Sequence, residues 1–287
     1  MITASVLIGL IAGLMIYWFY FKEDRFTFRV GQVEFDVENH STASRSSIQD
    51  EVTHAYEAIM GAVKGDYDPA SPISLEFYNQ KDISFSTRDE VVLFKDNGHF
   101  LTVHELSHAL LWGKEEQDDR GYWELEGLAI HLQTEYGDPV YPNYDVSPHA
   151  IMNVVKEEGM MIPLTKLCGT SMSRMLFQPS LESEGASRSL QWISYIESAS
   201  FVSYLIEEYG MEEFEKVFNE KDSLQQMKEV YGKDAAELEE EWLAYIDQES
   251  YKLSEREQNK VPGLEKRRSY FGEIDERYIH LVGGWVL

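Results

Sequence analysis

Cysteine is nearly missing: Cys168 is the only one in 287 residues. No intramolecular disulfide can form, and a four-thiolate zinc site is excluded. At 43% hydrophobic content the chain folds on an ordinary apolar core instead. Basic residues are also scarce, with 25 Lys and Arg against 51 Asp and Glu and a formal net charge of -26. Such a surface repels phosphate backbones, so no nucleic acid partner is expected, and the excess charge reads as solubilising. There is no internal repeat, no P-loop and no low-complexity tract, which removes solenoid and P-loop nucleotide-binding readings.

Charge is absent altogether from Ile2 to Phe21. At a helical rise of ~1.5 Å per residue, such a run matches the ~30 Å hydrocarbon core of a bilayer. Tyr17, Trp18 and Tyr20 lie at its C-terminal end, and Lys22, Glu23, Asp24 and Arg25 stop it. No Lys or Arg precedes it and no small-x-small site follows, which favours a retained anchor over a cleaved signal peptide. The expectation is a single-pass membrane protein with an N-terminal transmembrane helix over residues 1–22.

Beyond that segment, Phe26, Phe28 and Val30, then Val33, Phe35 and Val37, alternate around Gly31-Gln32, as in a hairpin. Ile48, Val52, Ala55, Tyr56, Ile59 and Val63 recur at helical spacing, with Ser46 and Ser47 as candidate caps. Short β-type runs follow at Ile73–Tyr78 and Val91–Phe94. From Phe100 the periodicity is helical: Phe100–Trp112, Tyr122–Tyr136, Ser147–Glu157, Ser194–Tyr209 and pieces between Met211 and Ile246. Gly137–Asp145 and Gln178–Ser189 read as surface loops. The fold class is α+β, with strands early and helices late.

His104-Glu105-Leu106-Ser107-His108 sits within an apolar run, which indicates a buried helix. Histidines four residues apart lie one turn apart on one helical face, so both imidazoles reach a single metal ion. Glu105 projects beside that ion, placed to take a proton without being a ligand. Tetrahedral zinc then requires a third protein donor. Glu126, in Trp123-Glu124-Leu125-Glu126-Gly127-Leu128-Ala129, is 18 residues past His108, room for a polar loop and the first turn of another helix. Gly127 allows close helix approach at a helix-propensity cost of about 1 kcal/mol. A core helix with two satisfied histidines is the bland alternative, but burying two His and a Glu without a metal leaves polar groups needing partners.

These segments resemble the gluzincin, or peptidase MA-like, metallopeptidases of the thermolysin-like zincin type. The resemblance rests on His104-Glu105-x-x-His108, on Trp123-x-x-Glu126-Gly127-x-Ala129, and on a softer helical match from Ser200 to Tyr245. It implies a zincin-like N-terminal lobe with a small sheet (26–137), an all-helical C-terminal lobe (138–247), and a charged tail (248–287). It further implies Zn2+ held by His104, His108 and Glu126, with Glu105 as base in hydrolysis of peptide or protein substrates. Tyr195 is the candidate oxyanion donor from the second lobe. An exported hydrolase has reason to be tethered, so the catalytic domain is expected outside the cytoplasm, although Lys22, Arg25 and Arg29 favour the opposite side.

The chain departs from the family in two places. Ile130 occupies the position where thermolysin-like members carry an Asp that orients a histidine. No Gly-x-Met-Glu-Asn segment of the aminopeptidase branch precedes His104. A catalytically silent zincin module with structural zinc is the rival reading, which retention of Glu105 disfavours. His99 and His131 read as surface or capping residues and not as ligands, and Val140–Tyr144 as either a cleft wall or an ordinary loop. The sequence selects no oligomeric state.

Overall fold

The computed structural model describes residues 24–112, 122–218, 220–261 and 263–279. Alternation builds the sheet. Strands β1 (Asp24–Val30) and β2 (Val33–His40) pair antiparallel about Gly31, whose φ of 55° is the left-handed conformation that glycine adopts without steric penalty. Val33, Phe35 and Val37 of β2 point into the core, where Ile48, Val52, Ala55 and Ile59 of helix α1 (Arg45–Ala62) join them. Ser44, not Ser46 or Ser47, caps α1: its side chain accepts from the Ser47 amide.

After α1 the chain returns as β3 (Ile73–Tyr78), parallel to β2, which makes a βαβ unit. β5 (Glu90–Phe94) continues the parallel set, and β4 (Phe85–Ser86) closes it antiparallel, giving the order β1-β2-β3-β5-β4. Two residues are too few to show alternation, so β4 left no sequence signal. Helix α2 (Thr102–Leu110) packs on β5 and β4. It thereby sets the His-Glu-x-x-His residues beside the sheet edge.

The rest is helical: α3 (Tyr122–Tyr136), α4 (Pro148–Glu157), α5 (Leu164–Leu167), α6 (Thr170–Phe177), α7 (Glu184–Tyr209), α8 (Met211–Glu215), α9 (Ser223–Tyr231) and α10 (Ala235–Ile246). The longest, α7, begins ten residues before the helix expected from periodicity, inside what read as a loop. Ser183 caps it by accepting from the Ala186 amide, with Glu184 in the first turn. Its polar opening turns lack the apolar stripe that marks a helix in sequence. In the tail, α11 (Glu255–Gln258), α12 (Leu264–Arg268) and α13 (Glu276–Ile279) follow. Val261, Leu264, Phe271, Ile274 and Ile279 are buried in the same core as the sheet.

The fold is α+β, and one expectation about it requires correction. No helix among the described residues is long and apolar enough to cross a membrane. The two that reach 18 residues are amphiphilic: α1 carries Arg45, Asp50, Glu51 and Glu57, and α7 carries Glu184, Arg188, Glu197, Glu207 and Glu208. The Ile2–Phe21 run, on which the transmembrane helix was expected, lies outside the described residues. A single-pass membrane protein with an extracytoplasmic domain is therefore not supported.

Candidate metal centre

Helix α2 presents His104, Glu105 and His108, and α3 crosses it to present Glu126. The approach of α3 to its other neighbour is set by Gly127. A Cβ there would lie 2.5 Å from Val202 Cγ2 and 2.7 Å from the Ser198 carbonyl oxygen, both on α7. Hence α3 is seated against α7 at backbone distance, and Glu126 is turned toward α2.

Three donor atoms converge. His104 Nε2 and His108 Nε2 are 3.2 Å apart, and Glu126 Oε2 lies 3.3 Å from the first and 3.6 Å from the second. Metal bonds of ~2.0–2.1 Å in a tetrahedron separate neighbouring ligands by about 3.3 Å. The three atoms thus occupy three corners of such a tetrahedron. Glu126 Oε2 is also buried without a well-formed hydrogen bond, as is His104 Nδ1. A buried carboxylate oxygen within 3.6 Å of two ring nitrogens fits a cation between them. The donor set of two imidazoles and one carboxylate suits zinc and other first-row ions and is too nitrogen-rich for magnesium or calcium.

The electrostatics agree with this arrangement. Burial alone would raise the Glu126 carboxyl, but the facing histidines outweigh it and hold Glu126 below the usual carboxylate range. Burial would depress His108, and the negative Glu126 and Glu105 raise it instead. Glu105 is 5% exposed, and its burial pushes its pKa up against the opposing pull of both histidines. A carboxylate moved toward neutrality is a better proton acceptor for chemistry near pH 7. Ser86 Oγ, on the edge strand β4, donates to Glu105 Oε2 at 2.9 Å and fixes its orientation.

Behind the candidate ligands stands Gln133. The His104 amide belongs to the first turn of α2, where backbone donors have no partner within the helix, and no side chain of the cap residue Leu101 serves them. Gln133 Oε1 accepts from that amide at 3.0 Å, while its Nε2 donates to the Asp138 carbonyl at 2.8 Å. Ile130 is fully buried, and among the described residues nothing hydrogen-bonds His104 Nδ1.

Tyr195 lies in the middle of α7, not at its start, with its ring 6.1 Å from Tyr141 and 5.7 Å from Phe177. Burial, then the negative Glu126, raise its hydroxyl pKa well above the ordinary value, and Glu105 adds to this. It therefore sits in the field of both carboxylates. Tyr141 shares that position: burial and Glu126 push its hydroxyl up to about 12, against the pull of Arg267 and Arg188. Ser86 and Gln133 were invisible as site residues in sequence, because each acts through tertiary contact and neither belongs to a spaced motif, whereas Tyr141 belongs to the Val140–Tyr144 segment that read as either a cleft wall or an ordinary loop. His99 pairs with Asp138 at 3.0 Å and His131 with the Ser203 hydroxyl at 2.9 Å, so neither is a ligand.

Compared with protein-family models and with curated proteins, the chain matches none. The assignment of the centre therefore rests on its own geometry.

Proposed function

We propose that the protein is a zinc metallopeptidase in which His104, His108 and Glu126 hold the ion and Glu105 is the general base. The observation that carries this reading is the tetrahedral spacing of three donor atoms beside a buried carboxylate that is not one of them. A bound zinc ion supplies Lewis acidity, polarising a carbonyl and lowering the pKa of water toward ~7. Glu105, oriented by Ser86, accepts the proton of the attacking water and delivers it to the leaving amine. Tyr195 and Tyr141 are kept protonated by burial and by neighbouring negative charge, so each is a hydrogen-bond donor for a developing oxyanion.

A peptide is the substrate class that suits the surroundings. β4 is the edge strand and carries Ser86, so an extended chain pairing with that edge runs beside Glu105. Ile83, just before β4, and Phe85, on it, are 80% and 47% exposed. A purely structural zinc has no use for a base beside it.

The test is mass-spectrometric analysis of a peptide mixture incubated with zinc-loaded full-length protein and its Glu105→Gln variant. Cleavage by the wild type alone, with equal zinc in both, is the expected result. Intact peptides under a fully zinc-loaded wild type would overturn the peptidase reading and leave a structural zinc module.

A further inference from the structure

Among the described arginines, only Arg267 is both partly buried and without a carboxylate partner. Arg25, Arg29, Arg45, Arg188, Arg268 and Arg277 form ion pairs, and Arg88, Arg174 and Arg256 are exposed. In a chain with 51 acidic residues, an unpaired guanidinium in a half-buried position is unexpected. Its place is well fixed. Trp192 and Tyr141 flank it, with Cζ 5.2 Å and 5.8 Å from their ring centroids. Trp192 is itself fully buried and donates to the Pro142 carbonyl. The Arg267 amide donates to Gly263 O, and its carbonyl accepts from Ser189 on α7. The one hydrogen bond of its side chain is a long contact of 3.3 Å to Arg188 O, so most of its five donors are unused among the described residues.

Arg267 is also connected by ring contacts to Tyr195, the candidate oxyanion donor. Tyr141, whose ring is 5.8 Å from Arg267 Cζ, is the residue through which it reaches that neighbourhood. Tyr141 is in turn in ring contact with Tyr195. The steps of 5.8 Å from Arg267 Cζ to Tyr141 and 6.1 Å from Tyr141 to Tyr195 together reach at most about 12 Å, a distance that roughly three to four extended peptide residues span. We propose that Arg267 is a specificity-determining residue that receives a substrate carboxylate a few residues from the scissile bond. This rests on the peptidase reading above. A planar guanidinium stacked on aromatics is preorganised to take a carboxylate with two parallel hydrogen bonds. Because the protein's overall charge repels anions, that local cation is what makes such a substrate acceptable. The carboxylate comes either from the peptide's C-terminus or from an Asp or Glu side chain.

The test is calorimetric binding to the zinc-loaded, full-length Glu105→Gln protein, where no turnover interferes. The probes are acetyl-Ala-Leu-Ala-Ala as free acid and as amide, and acetyl-Ala-Leu-Asp-Ala-amide beside its Asn counterpart. Tighter binding of the free acid assigns the C-terminal carboxylate, and tighter binding of the Asp peptide assigns a side chain. In either case adding Arg267→Gln should erase the preference, a loss of roughly 10- to 100-fold for one charge-assisted pair. Arg267→Lys should keep part of it, and melting curves of both variants establish that they fold. A role confined to fastening the tail would lower the melting temperature and leave the acid-to-amide ratio unchanged. Equal binding within both pairs, or a preference that survives Arg267→Gln, overturns the proposal while wild-type hydrolysis of any peptide keeps the peptidase reading. A preference lost on substitution, in a wild type that hydrolyses nothing, supports this site and removes that reading.

Discussion

Replacing Gly127 by Ala tests whether the backbone-level seating of α3 on α7 positions the metal carboxylate. The new methyl would meet Val202 Cγ2 at 2.5 Å and the Ser198 carbonyl oxygen at 2.7 Å, and the second is helix backbone that cannot rotate away. Overpacking of this kind costs about 1–3 kcal/mol, and the short distances place it high in that range. Ala is the better helix former by about 1 kcal/mol, which leaves a net loss of about 1–2 kcal/mol. For a chain of this size that lowers Tm by roughly 2–8 °C. Because Glu126 is the adjacent residue, α3 can relieve the clash only by moving a ligand, so zinc affinity should fall roughly 10-fold or more. Gly61→Ala in α1 is the control, since nothing lies within 4 Å of its added Cβ. It should raise stability by up to about 1 kcal/mol and leave zinc affinity alone. Thermal unfolding with and without zinc, and competition against a chromophoric chelator, read both quantities. A Gly127→Ala protein as stable as Gly61→Ala, with native affinity, would refute the reasoning.

Gln133→Leu should leave the His104 amide unsatisfied, costing about 1–3 kcal/mol in urea unfolding and weakening zinc binding; unchanged affinity would show that the amide finds another partner. Ser86→Ala should reduce kcat while zinc content stays at the wild-type level, because it loosens Glu105 and touches no ligand; steady-state kinetics beside metal analysis separates the two effects. His131 supplies a pH dependence. Burial holds it down to about 4, below the unfolded value of 6.5. Above pH 6.5 both states are neutral and there is no penalty; as pH falls toward 4 the unfolded state gains the proton first. Stability is therefore lost over that window, by about 2–3 kcal/mol at pH 4.5. His131→Gln should flatten the pH profile of unfolding free energy by that amount, and an unaltered slope would contradict the assignment.

How much of this was legible in the sequence depended on periodicity. The cluster of His104, His108 and Glu126 was readable because much of its spacing is local: His104 and His108 share a helical face with Glu105 beside them, and Glu126 follows in the opening turns of the next helix. Gly127 was readable as a close-approach residue, though not the partner it approaches. Ser86 lies on a two-residue strand, where no repeat exposes a role, and Tyr141 lies in a loop that sequence offered as a cleft wall without singling out a residue. Gln133 sits on a helix, yet its function is to satisfy a backbone group of a different helix. The polar start of α7 hid ten residues of helix, and so moved Tyr195 from a helix end to its middle. Arg267 read as one residue of a charged tail; only the fold shows it without an acidic partner among the described residues and against two aromatic rings.

The most direct test of the central claim is the zinc stoichiometry of the full-length protein and of its Glu126→Ala and Glu105→Gln variants, measured by elemental analysis after dialysis against trace metal. One zinc per chain in the wild type and in Glu105→Gln, with most of it lost from Glu126→Ala, is the predicted result. A wild type that retains no zinc, or a Glu126→Ala protein that retains it fully, would contradict the account.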